Sequence, residues 1–416
     1  MNRRSGFMIS SLISSSIILI LAASPAAGYT LQIFGNANMD GTIDELDIAA
    51  LEGMIDGSLA KTYLADADGD GEIDGDDLDR IRNILRSDPG EIALIDGAGR
   101  IVTIKTPVSR IVPLHMRHAT AVVVLGGEEA IVGVGSTVLE REGLFPDLMD
   151  RPSVGSHREP DLEAILELSP DLVIAFTQTG ALDQLEDKLP SEVALLRFDL
   201  SRSDDLLEEM TLLGILIGDR EAARAYEEWY DLYMGQVAER VEGIPEEERV
   251  KAFLEREKTE KEASTRWAYA SDTGYTDLCD VAGGVNIAKG KIDYHGDVEA
   301  EWVMEANPEV IIGLSYSGGY GADDDTLLKA YRDGIMKAPG FDLVDAVRDG
   351  RIYVISGDFS LGPQMTIGAV VVAKWLYPEL FADLDPEAIH REFLMEFMDV
   401  DPDLAGSGAF VYPPAS

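Results

Sequence analysis

The sequence contains little cysteine, little histidine and few basic residues. Of its 416 residues, one is cysteine and five are histidine, and 34 Lys and Arg stand against 77 Asp and Glu, for a net charge of −43. One cysteine excludes an internal disulfide and a thiolate metal cluster. So acidic a chain repels phosphate backbones, which argues against nucleic-acid binding. We interpret Cys279, which lies in an apolar, helix-like stretch, as a buried small hydrophobe.

Enzyme motifs and a second long apolar run are also missing. There is no nucleophile elbow, no glycine-rich phosphate loop and no HExxH pair, so the best case for an enzyme is a metal hydrolase that uses the histidines. One apolar run, residues 7–23, follows two arginines and precedes small residues that end at Gly28. This pattern predicts a secretory signal over residues 1–28, with an uncleaved anchor as the alternative. We therefore expect the protein to be secreted or held at the outer face of the cell membrane.

Two acidic loops repeat each other after this segment. In each loop, oxygen-bearing side chains occupy positions 1, 3, 5, 9 and 12, glycine occupies position 6, and position 7 would offer its backbone carbonyl. This is the EF-hand spacing, and hard oxygen ligands suit calcium. The sequence thus predicts two bound Ca²⁺ ions, with an apolar-periodic helix after each loop. The predicted metal ligands are Asn36, Asn38, Asp40, Thr42, Asp44, Asp47, Asp66, Asp68, Asp70, Glu72, Asp74 and Asp77.

The paired loop-helix unit, residues 34–86, resembles a dockerin, which is a small all-α calcium module. The resemblance implies a cohesin-like partner that contacts mainly positions 10 and 11 of each loop. Here those positions hold Glu45, Leu46, Gly75 and Asp76 instead of the hydroxyl residues common in dockerins. A calcium-stiffened stalk is the alternative interpretation. Without calcium the crowded acidic residues would repel one another, so we expect the module to unfold in chelator.

Beyond Asp88-Pro89-Gly90, short apolar strands alternate with helical stretches. A hairpin around Asp96-Gly97 comes first, and the alternation that follows predicts α/β lobes with mainly parallel sheets. The predicted strands after the hairpin include residues 110–113, 131–134, 172–176, 193–198, 250–254, 310–314 and 352–355.

Two segments of the α/β region share one pattern. Residues 161–174 and 299–312 each place a glutamate, Glu163 or Glu301, seven residues before a proline that leads into an apolar strand. The repeat indicates two related lobes. Between them, residues 220–241 form a helical pattern roughly 33 Å long at 1.5 Å per residue. The predicted domains are a module at 29–90, a lobe at 91–203, a bridging region at 204–243 and a second lobe at 244–416.

From about residue 91 onward, the order of these pieces resembles substrate-binding proteins of ABC importers, of the iron–siderophore and cobalamin type. The matching pieces include the hairpin, the repeated segments and Ala282-Gly283-Gly284-Val285-Asn286. The resemblance implies two Rossmann-like lobes joined by one long helix, a ligand cleft between them, no enzymatic activity, and an importer permease as partner. In relatives an acidic residue on each lobe docks on the permease, and Glu163 and Glu301 occupy matching places. Stabilisation of the helix dipole is the alternative role.

Ligands of open α/β sheets bind beyond the carboxyl ends of strands. Aromatic and basic residues at the predicted strand exits suit a bulky, anionic metal chelate, because arginine presents a planar fork to carboxylates and catecholates. We predict a ferric siderophore-like ligand, with cobalamin and haem as alternatives; capping or packing is the alternative role of each residue. The candidate ligand contacts are His115, Arg117, His118, His157, Arg158, Gln178, Arg256, Trp267, Tyr269, Tyr294, His295, Tyr316 and Tyr320.

Two other functions stay open. A cell-surface scaffold would use the calcium module for tethering and carry the lobes as a passive head. A receptor for a bare transition metal ion would need histidines and a carboxylate that converge. Its ligands would be His115 or His118, His157, His295, and Asp272 or Asp293.

Overall fold

The protein is described here by a computed structural model that covers residues 29–178, 185–257, 264–322 and 324–414. The predicted signal, residues 1–28, lies outside the described residues. Among the helices that are described, none is both long and apolar enough to cross a bilayer.

Helices and strands alternate along most of the chain beyond the N-terminal module. The α-helices are α1 (Glu45–Ile55), α2 (Gly75–Arg86), α3 (Met116–Val124), α4 (Ser136–Leu139), α5 (Leu162–Glu167), α6 (Ser203–Ile217), α7 (Arg220–Glu242), α8 (Gly274–Val281), α9 (Ala300–Ala306), α10 (Thr326–Met336), α11 (Asp345–Arg348), α12 (Gly357–Ser360), α13 (Met365–Leu376), α14 (Pro386–Phe397) and α15 (Leu404–Ser407). The strands are β1 (Gly90–Ile95), β2 (Ile101–Thr106), β3 (Ile111–Pro113), β4 (Gly155–Ser156), β5 (Glu159–Pro160), β6 (Leu172–Ala175), β7 (Ala194–Arg197), β8 (Lys251–Arg256), β9 (Thr265–Tyr269), β10 (Val285–Asn286), β11 (His295–Glu299), β12 (Val310–Ser315), β13 (Ile352–Ser356) and β14 (Val411–Tyr412).

Each acidic loop of the module leads into the predicted helix. Asp44 caps α1 by accepting from the backbone N–H of Leu46, and its own N–H donates to the Asp47 carboxylate. Asp74 and Asp77 form the same capping box at α2. Because each carboxylate satisfies an N–H group that the helix itself leaves unpaired, the acidic residues define where both helices begin.

The module is joined to the lobes by a backbone seam. Ile33 forms an antiparallel bridge with Leu94 of β1, and Ile95 donates its backbone N–H to the carbonyl of Gln32 at 2.9 Å. The N–H of Gln32 in turn donates to Glu208 of α6 at 2.9 Å. This extended segment differs from the all-α module that the sequence predicts. The free backbone edge of the β1–β2 hairpin explains it, since an unpaired strand edge readily binds another extended segment.

The N-terminal lobe contains a parallel sheet in the order β3-β6-β7. The strand predicted at residues 131–134 is reduced to two isolated bridges, from Ile131 to Ile111 and from Val134 to Ser153. The segment pairs with β3 at its first residue and with Ser153 at its last, so it does not pair continuously with either. Gly133 permits this close passage, because a Cβ at that position would lie 2.3 Å from the Leu168 side chain.

The C-terminal lobe contains a larger mixed sheet. Its strand order is β11-β9-β8-β12-β13-β14, with β10 paired to β8. The centre of this sheet, β8-β12-β13, is parallel, and β12 is buried along its whole length. The edges carry the antiparallel strands, which is where such strands are found in mixed sheets.

The long helix α7 connects the lobes and runs from Arg220 to Glu242, as the sequence predicts. It begins after Gly218, whose φ of +92° lets the chain turn sharply out of α6. The Tyr226 hydroxyl on α7 donates to the carbonyl of Pro363 at 2.9 Å, which ties the helix to the C-terminal lobe. Buried side chains of the module, of α6 and α7 and of both lobes belong to one continuous apolar cluster.

The substitution Glu208→Gln tests the contact between the module and α6, which Gln32 and Glu208 form. Burial raises the pKa of Glu208 to about 7. The folded-state pKa of Glu208 lies above the value of about 4.5 of an unfolded glutamate. The contribution of Glu208 to the free energy of unfolding is therefore complete below about pH 4.5 and is lost as the pH rises through about 7. Glutamine keeps an acceptor for Gln32 and carries no charge. After discounting for solvent screening, we expect the variant to gain about 1 kcal/mol in free energy of unfolding at pH 8 and nothing at pH 4. Urea denaturation at both pH values measures this difference, and an equal effect at both would contradict it.

Candidate functional site

The candidate cleft lies between the lobes, at the carboxyl ends of parallel strands. β6 leads directly into Phe176 and Thr177 on one side. On the other side, β8 ends at Arg256 and β12 ends just before Tyr316. Arg117, in the first turn of α3, packs against Gly362 of the C-terminal lobe, where a Cβ would lie 2.6 Å from the Arg117 Cγ. The two sets of strand exits therefore face each other.

Two histidines and a phenylalanine form part of the N-terminal wall. His115 caps α3, and its Nδ1 accepts a hydrogen bond from the backbone N–H of Arg117 at 3.2 Å. Its ring centroid lies 4.9 Å from those of both His157 and Phe176. Burial, followed by the charge of Arg117, lowers the pKa of His115 well below its ordinary value. Burial also lowers the pKa of His157. Both imidazoles are therefore neutral at pH 7 and contribute polarity without charge.

Arg117 brings a positive charge to the same wall. Its Nη1 donates to the backbone carbonyl of Asp199 at 2.7 Å. Its Cζ lies 5.0 Å from the Phe176 ring centroid, a cation–π distance. Burial lowers the pKa of Arg117, but a guanidinium remains charged at any physiological pH. Within the described parts of the chain, no carboxylate forms an ion pair with it.

Three tyrosine hydroxyls meet on the C-terminal wall. The Tyr316 hydroxyl lies 3.1 Å from that of Tyr269 and accepts from that of Tyr275 at 3.3 Å. Burial raises the pKa of both Tyr269 and Tyr275, so these groups stay protonated and keep their O–H donors. Tyr316 itself is 63 % exposed. The cluster thus offers hydroxyl donors and an open aromatic face to the cleft.

A second unpaired guanidinium lies on this wall. The Cζ of Arg256 lies 4.6 Å from the Trp267 ring centroid, a cation–π distance. The His295 ring lies 5.2 Å from that of Trp267 and 4.5 Å from that of Tyr294. No carboxylate of the residues described pairs with Arg256. Each lobe therefore presents a guanidinium without an ion pair, together with aromatic rings.

Two direct contacts hold the lobes together beside the cleft. Arg141, which follows α4, pairs with Asp358 of α12 at 3.3 Å, and both side chains are largely buried. The backbone N–H of Gly362 donates to the carbonyl of Leu200 at 2.8 Å. These contacts fix the separation of the two walls in this structure.

Four predicted ligand contacts lie elsewhere. His118 is fully buried, and its Nε2 donates to the carbonyl of Phe198 at 2.9 Å, so it packs inside the lobe. Tyr320 turns toward His390 and Phe410. Both predictions are corrected, because strand-exit position does not show which way a side chain turns. Arg158 and Gln178 are exposed and belong to neither cluster of side chains.

Sequence reasoning missed several residues of the site. Phe176 follows β6 directly, so the strand-exit rule would have included it had apolar residues been counted. Tyr275 lies on α8, where only the tertiary structure brings its hydroxyl to Tyr316. Arg141 and Asp358 are 217 residues apart in sequence, and nothing in the sequence connects them.

The histidines do not assemble into a bare-metal site. His295 lies on the opposite wall from His115 and His157, among aromatic rings. Asp272 is exposed and lies 3.8 Å from Arg202, and Asp293 is exposed. Within the described ranges, the only group of three acidic, histidine or cysteine side chains close enough to share an ion is Asp66, Asp68 and Asp70.

That group is the core of the second acidic loop. Ligand atoms of Asp66, Asp68 and Asp70 all lie within 4.8 Å of one another. Gly71 adopts a φ of +89°, the left-handed conformation that a sharp loop turn requires. Asp77 accepts the backbone N–H groups of Ala67 and Asp74 and closes the loop. An all-oxygen set of this kind fits Ca²⁺.

The first loop contains an unsatisfied buried acceptor. The Asn36 amide nitrogen donates to the carbonyls of Leu31 and Asp40, while its Oδ1 is buried without a partner. Leaving such an acceptor unpaired costs about 1–3 kcal/mol. Asp47 is also fully buried, and burial raises its pKa to about 6. An unpaired buried acceptor and a buried carboxylate are both groups that a bound cation would stabilise.

The two predicted docking glutamates occupy equivalent, exposed positions. Glu163 lies in the first turn of α5 and Glu301 in the first turn of α9. Neither forms an ion pair within the described chain. Both are available to a partner.

A model of the family described as "Periplasmic binding protein" matches residues 111–358, more than half of the chain. The molybdate-binding protein MolA of Haemophilus influenzae is 22 % identical over 337 residues, which span 73 % of this chain and 90 % of MolA. The structure of MolA bound to molybdate has a TM-score of 0.59 at 21 % identity, covering 74 % of this chain and 98 % of that one.

Two further solved structures share the fold. The TroA-like periplasmic binding protein FepB of Veillonella parvula has a TM-score of 0.61 at 21 % identity, covering 77 % of this chain and 98 % of its own. CeuE of Helicobacter pylori, solved with Ni(II) bound, has a TM-score of 0.59 at 18 % identity, covering 76 % and 98 %. At such identities these likenesses show the fold alone.

Proposed function

This chain belongs to the periplasmic binding protein family, and we propose that it is an extracytoplasmic receptor that delivers an anionic metal chelate to an ABC importer. The observation that supports this proposal is the charge of the cleft. In a protein of net charge −43, Arg117 and Arg256 face the cleft with no carboxylate partner among the described residues. A guanidinium without an ion pair on each wall favours a ligand with at least two anionic groups.

The remaining chemistry of the cleft favours a large ligand. Tyr316 is 63 % exposed and Tyr294 is 54 % exposed, so each offers a ring face to a flat or aromatic ligand. The tyrosine hydroxyls and neutral histidines add hydrogen-bonding groups without repelling an anion. The absence of converging histidine and carboxylate ligands in the described chain favours an intact chelate over a bare ion. A ferric siderophore-like ligand fits best, with cobalamin and haem as alternatives.

Titration of residues 29–416 in saturating calcium, followed by tryptophan fluorescence, tests the ligand class. The panel contains ferric catecholate and citrate chelates, cobalamin, haemin, molybdate and bare divalent ions. We expect saturable quenching by a chelate, because Trp267 stacks on Arg256. Saturation by molybdate alone would show that the ligand is a simple oxyanion, like the molybdate in the name of MolA. Binding of bare ions alone would contradict the proposal.

Arg117→Gln and Arg256→Gln should each weaken binding of the chelate identified in this panel by about 10- to 100-fold. Loss of a charge-assisted hydrogen bond costs about 1.5–3 kcal/mol, and 1.4 kcal/mol corresponds to a factor of ten in affinity. Arg348→Gln is the matched control, since Arg348 is exposed and pairs with Asp345 on α11. Equal affinity in all three variants would exclude a role of these guanidinia in binding.

We propose that the module binds two Ca²⁺ ions and that calcium stabilises the whole receptor. The support is the buried Asn36 acceptor and the Asp66, Asp68 and Asp70 group, together with the seam to β1 and α6. A ligand present at 100 times its dissociation constant adds about 2.7 kcal/mol. We expect EGTA to lower the melting temperature of the entire chain in one cooperative transition. Asp66→Asn with Asp70→Asn should abolish most of this effect. A separate, calcium-dependent module transition would instead support the stalk alternative.

We propose that Glu163 and Glu301 dock the receptor on its permease. Their exposure at equivalent helix starts of the two lobes supports this role. The double variant Glu163→Ala, Glu301→Ala should reduce uptake by cells at least tenfold while ligand affinity stays unchanged. The double variant Glu167→Ala, Glu305→Ala, on the same helices, is the control. Normal uptake in cells that carry the Glu163→Ala, Glu301→Ala variant would leave stabilisation of the helix dipole as the role of both glutamates.

Tethering through a cohesin-like partner is a second candidate function. It is supported by Leu46, which occupies position 11 of the first loop and is 63 % exposed. Such a role is compatible with a receptor, since the tether would hold it at the cell surface. Capture of a cohesin domain by the wild-type chain but not by Leu46→Asp would support it.

A further inference from the structure

The direction of the Arg117 side chain depends on a short turn between the lobes. Its Nη1 donates to the carbonyl of Asp199, while its aliphatic part packs on Gly362, where a Cβ would lie 2.6 Å from the Arg117 Cγ. Phe176 lies against the guanidinium. Of these groups, the Asp199 carbonyl is the only polar anchor that the described residues give the guanidinium.

The turn that carries this carbonyl is strained. Leu200 is fully buried and has a φ of +46°, a left-handed conformation that is unfavourable for a residue with a Cβ. Its carbonyl accepts from Gly362 of the other lobe at 2.8 Å. Such a conformation persists only where neighbouring groups hold it.

Glu209 of α6 supplies that hold. One carboxylate oxygen accepts the backbone N–H of Asp199 at 3.1 Å, and the other accepts that of Leu200 at 2.6 Å. The Asp199 carboxylate separately accepts the N–H and hydroxyl of Thr177 at 2.9 and 2.7 Å. The turn is therefore fixed from both sides.

The chemistry of Glu209 is specific to this arrangement. Its side chain is buried, at 5 % exposure, and no cation of the described chain pairs with it. Burial raises its pKa, and the two N–H groups oppose that rise by favouring the carboxylate. Only a carboxylate offers an acceptor to both N–H groups, because glutamine would turn an NH₂ group toward one of them.

We infer that Glu209 is a positioning residue for ligand binding: it fixes the Asp199–Leu200 turn, whose carbonyl aims the Arg117 guanidinium into the cleft. This inference rests on the proposed function, since it assigns Arg117 to the ligand. Glu209 hydrogen-bonds the turn and not the Arg117 side chain. Its effect on a ligand passes through Arg117.

Arginine modification tests the positioning step without a ligand. The full chain in calcium is treated with phenylglyoxal, and peptide mass spectrometry gives the modification rates of Arg117 and, as an internal reference, Arg256. In Glu209→Gln we expect Arg117 to react about tenfold faster, the factor that corresponds to losing one hydrogen bond of about 1.4 kcal/mol, with Arg256 unchanged. Glu208→Gln is the matched control, since its neighbour Glu208 contacts Gln32 and not the turn. Equal acceleration at both arginines, or by both variants, would overturn the inference.

A second variant covers the case in which Glu209→Gln does not fold. Thr177→Val keeps the side-chain shape and removes only the hydroxyl bond to Asp199. It should accelerate modification of Arg117 severalfold and leave Arg256 unchanged. An unchanged Arg117 rate in this variant would also count against the inference.

A double-mutant cycle adds the binding step, with ferric citrate as the probe in titration calorimetry. Glu209→Gln should weaken binding about tenfold in the wild-type background and not at all in Arg117→Gln, because one carbonyl links the two side chains. Additive losses would show a general structural role and overturn the inference. If ferric citrate does not bind the wild-type chain, that result counts against the proposed ligand class, while the modification rates still decide the role of Glu209.

Discussion

Burial of one continuous apolar core around α6 and α7 sets the geometry of this protein. Side chains from the module, both lobes and the two helices belong to the same cluster, so moving one of these parts away from α6 and α7 would expose apolar surface. Such surface costs about 25 cal/mol per Å² exposed. The strained turn at Leu200 and the interlobe bond from Gly362 lie beside this core, which is why a conformation that is costly in isolation persists here.

The cleft differs in charge from the rest of the molecule. An acidic surface repels anions at long range, yet that repulsion falls off within about 10 Å at moderate salt. Inside the cleft, Arg117 and Arg256 act at contact distance and form no ion pair with a carboxylate of the described chain. Local guanidinium pairing then outweighs distant surface charge. A receptor of this design binds its ligand by short-range contacts, and its on-rate gains nothing from electrostatic steering.

The fold was largely predictable from the sequence. The helices after the acidic loops, the hairpin, the alternating α/β lobes and α7 follow from periodicity, capping residues and glycine positions. The family model confirms the predicted resemblance at the level of periplasmic binding proteins. Predictions failed where a segment serves two neighbours. Residues 131–134 split their pairing between two partners, and residues 31–34 join a hairpin edge far along the chain. Local patterns do not encode such long-range pairings.

The sequence by itself determined which residues reach the strand exits and which oxygens line the acidic loops, because period-2 and EF-hand spacings are local properties. Tertiary structure decided which of those residues meet. His115 and Arg117 face the cleft while His118, within the same turn of the chain, packs against Phe198. Packing alone brings together the elements that carry two other contacts. These are the hydrogen bond from Tyr275 to Tyr316 and the hydrogen bond that Glu209 accepts from the Asp199–Leu200 turn. The direction of a side chain depends on neighbours that are distant in sequence, and the spacing of residues along the chain does not specify those neighbours.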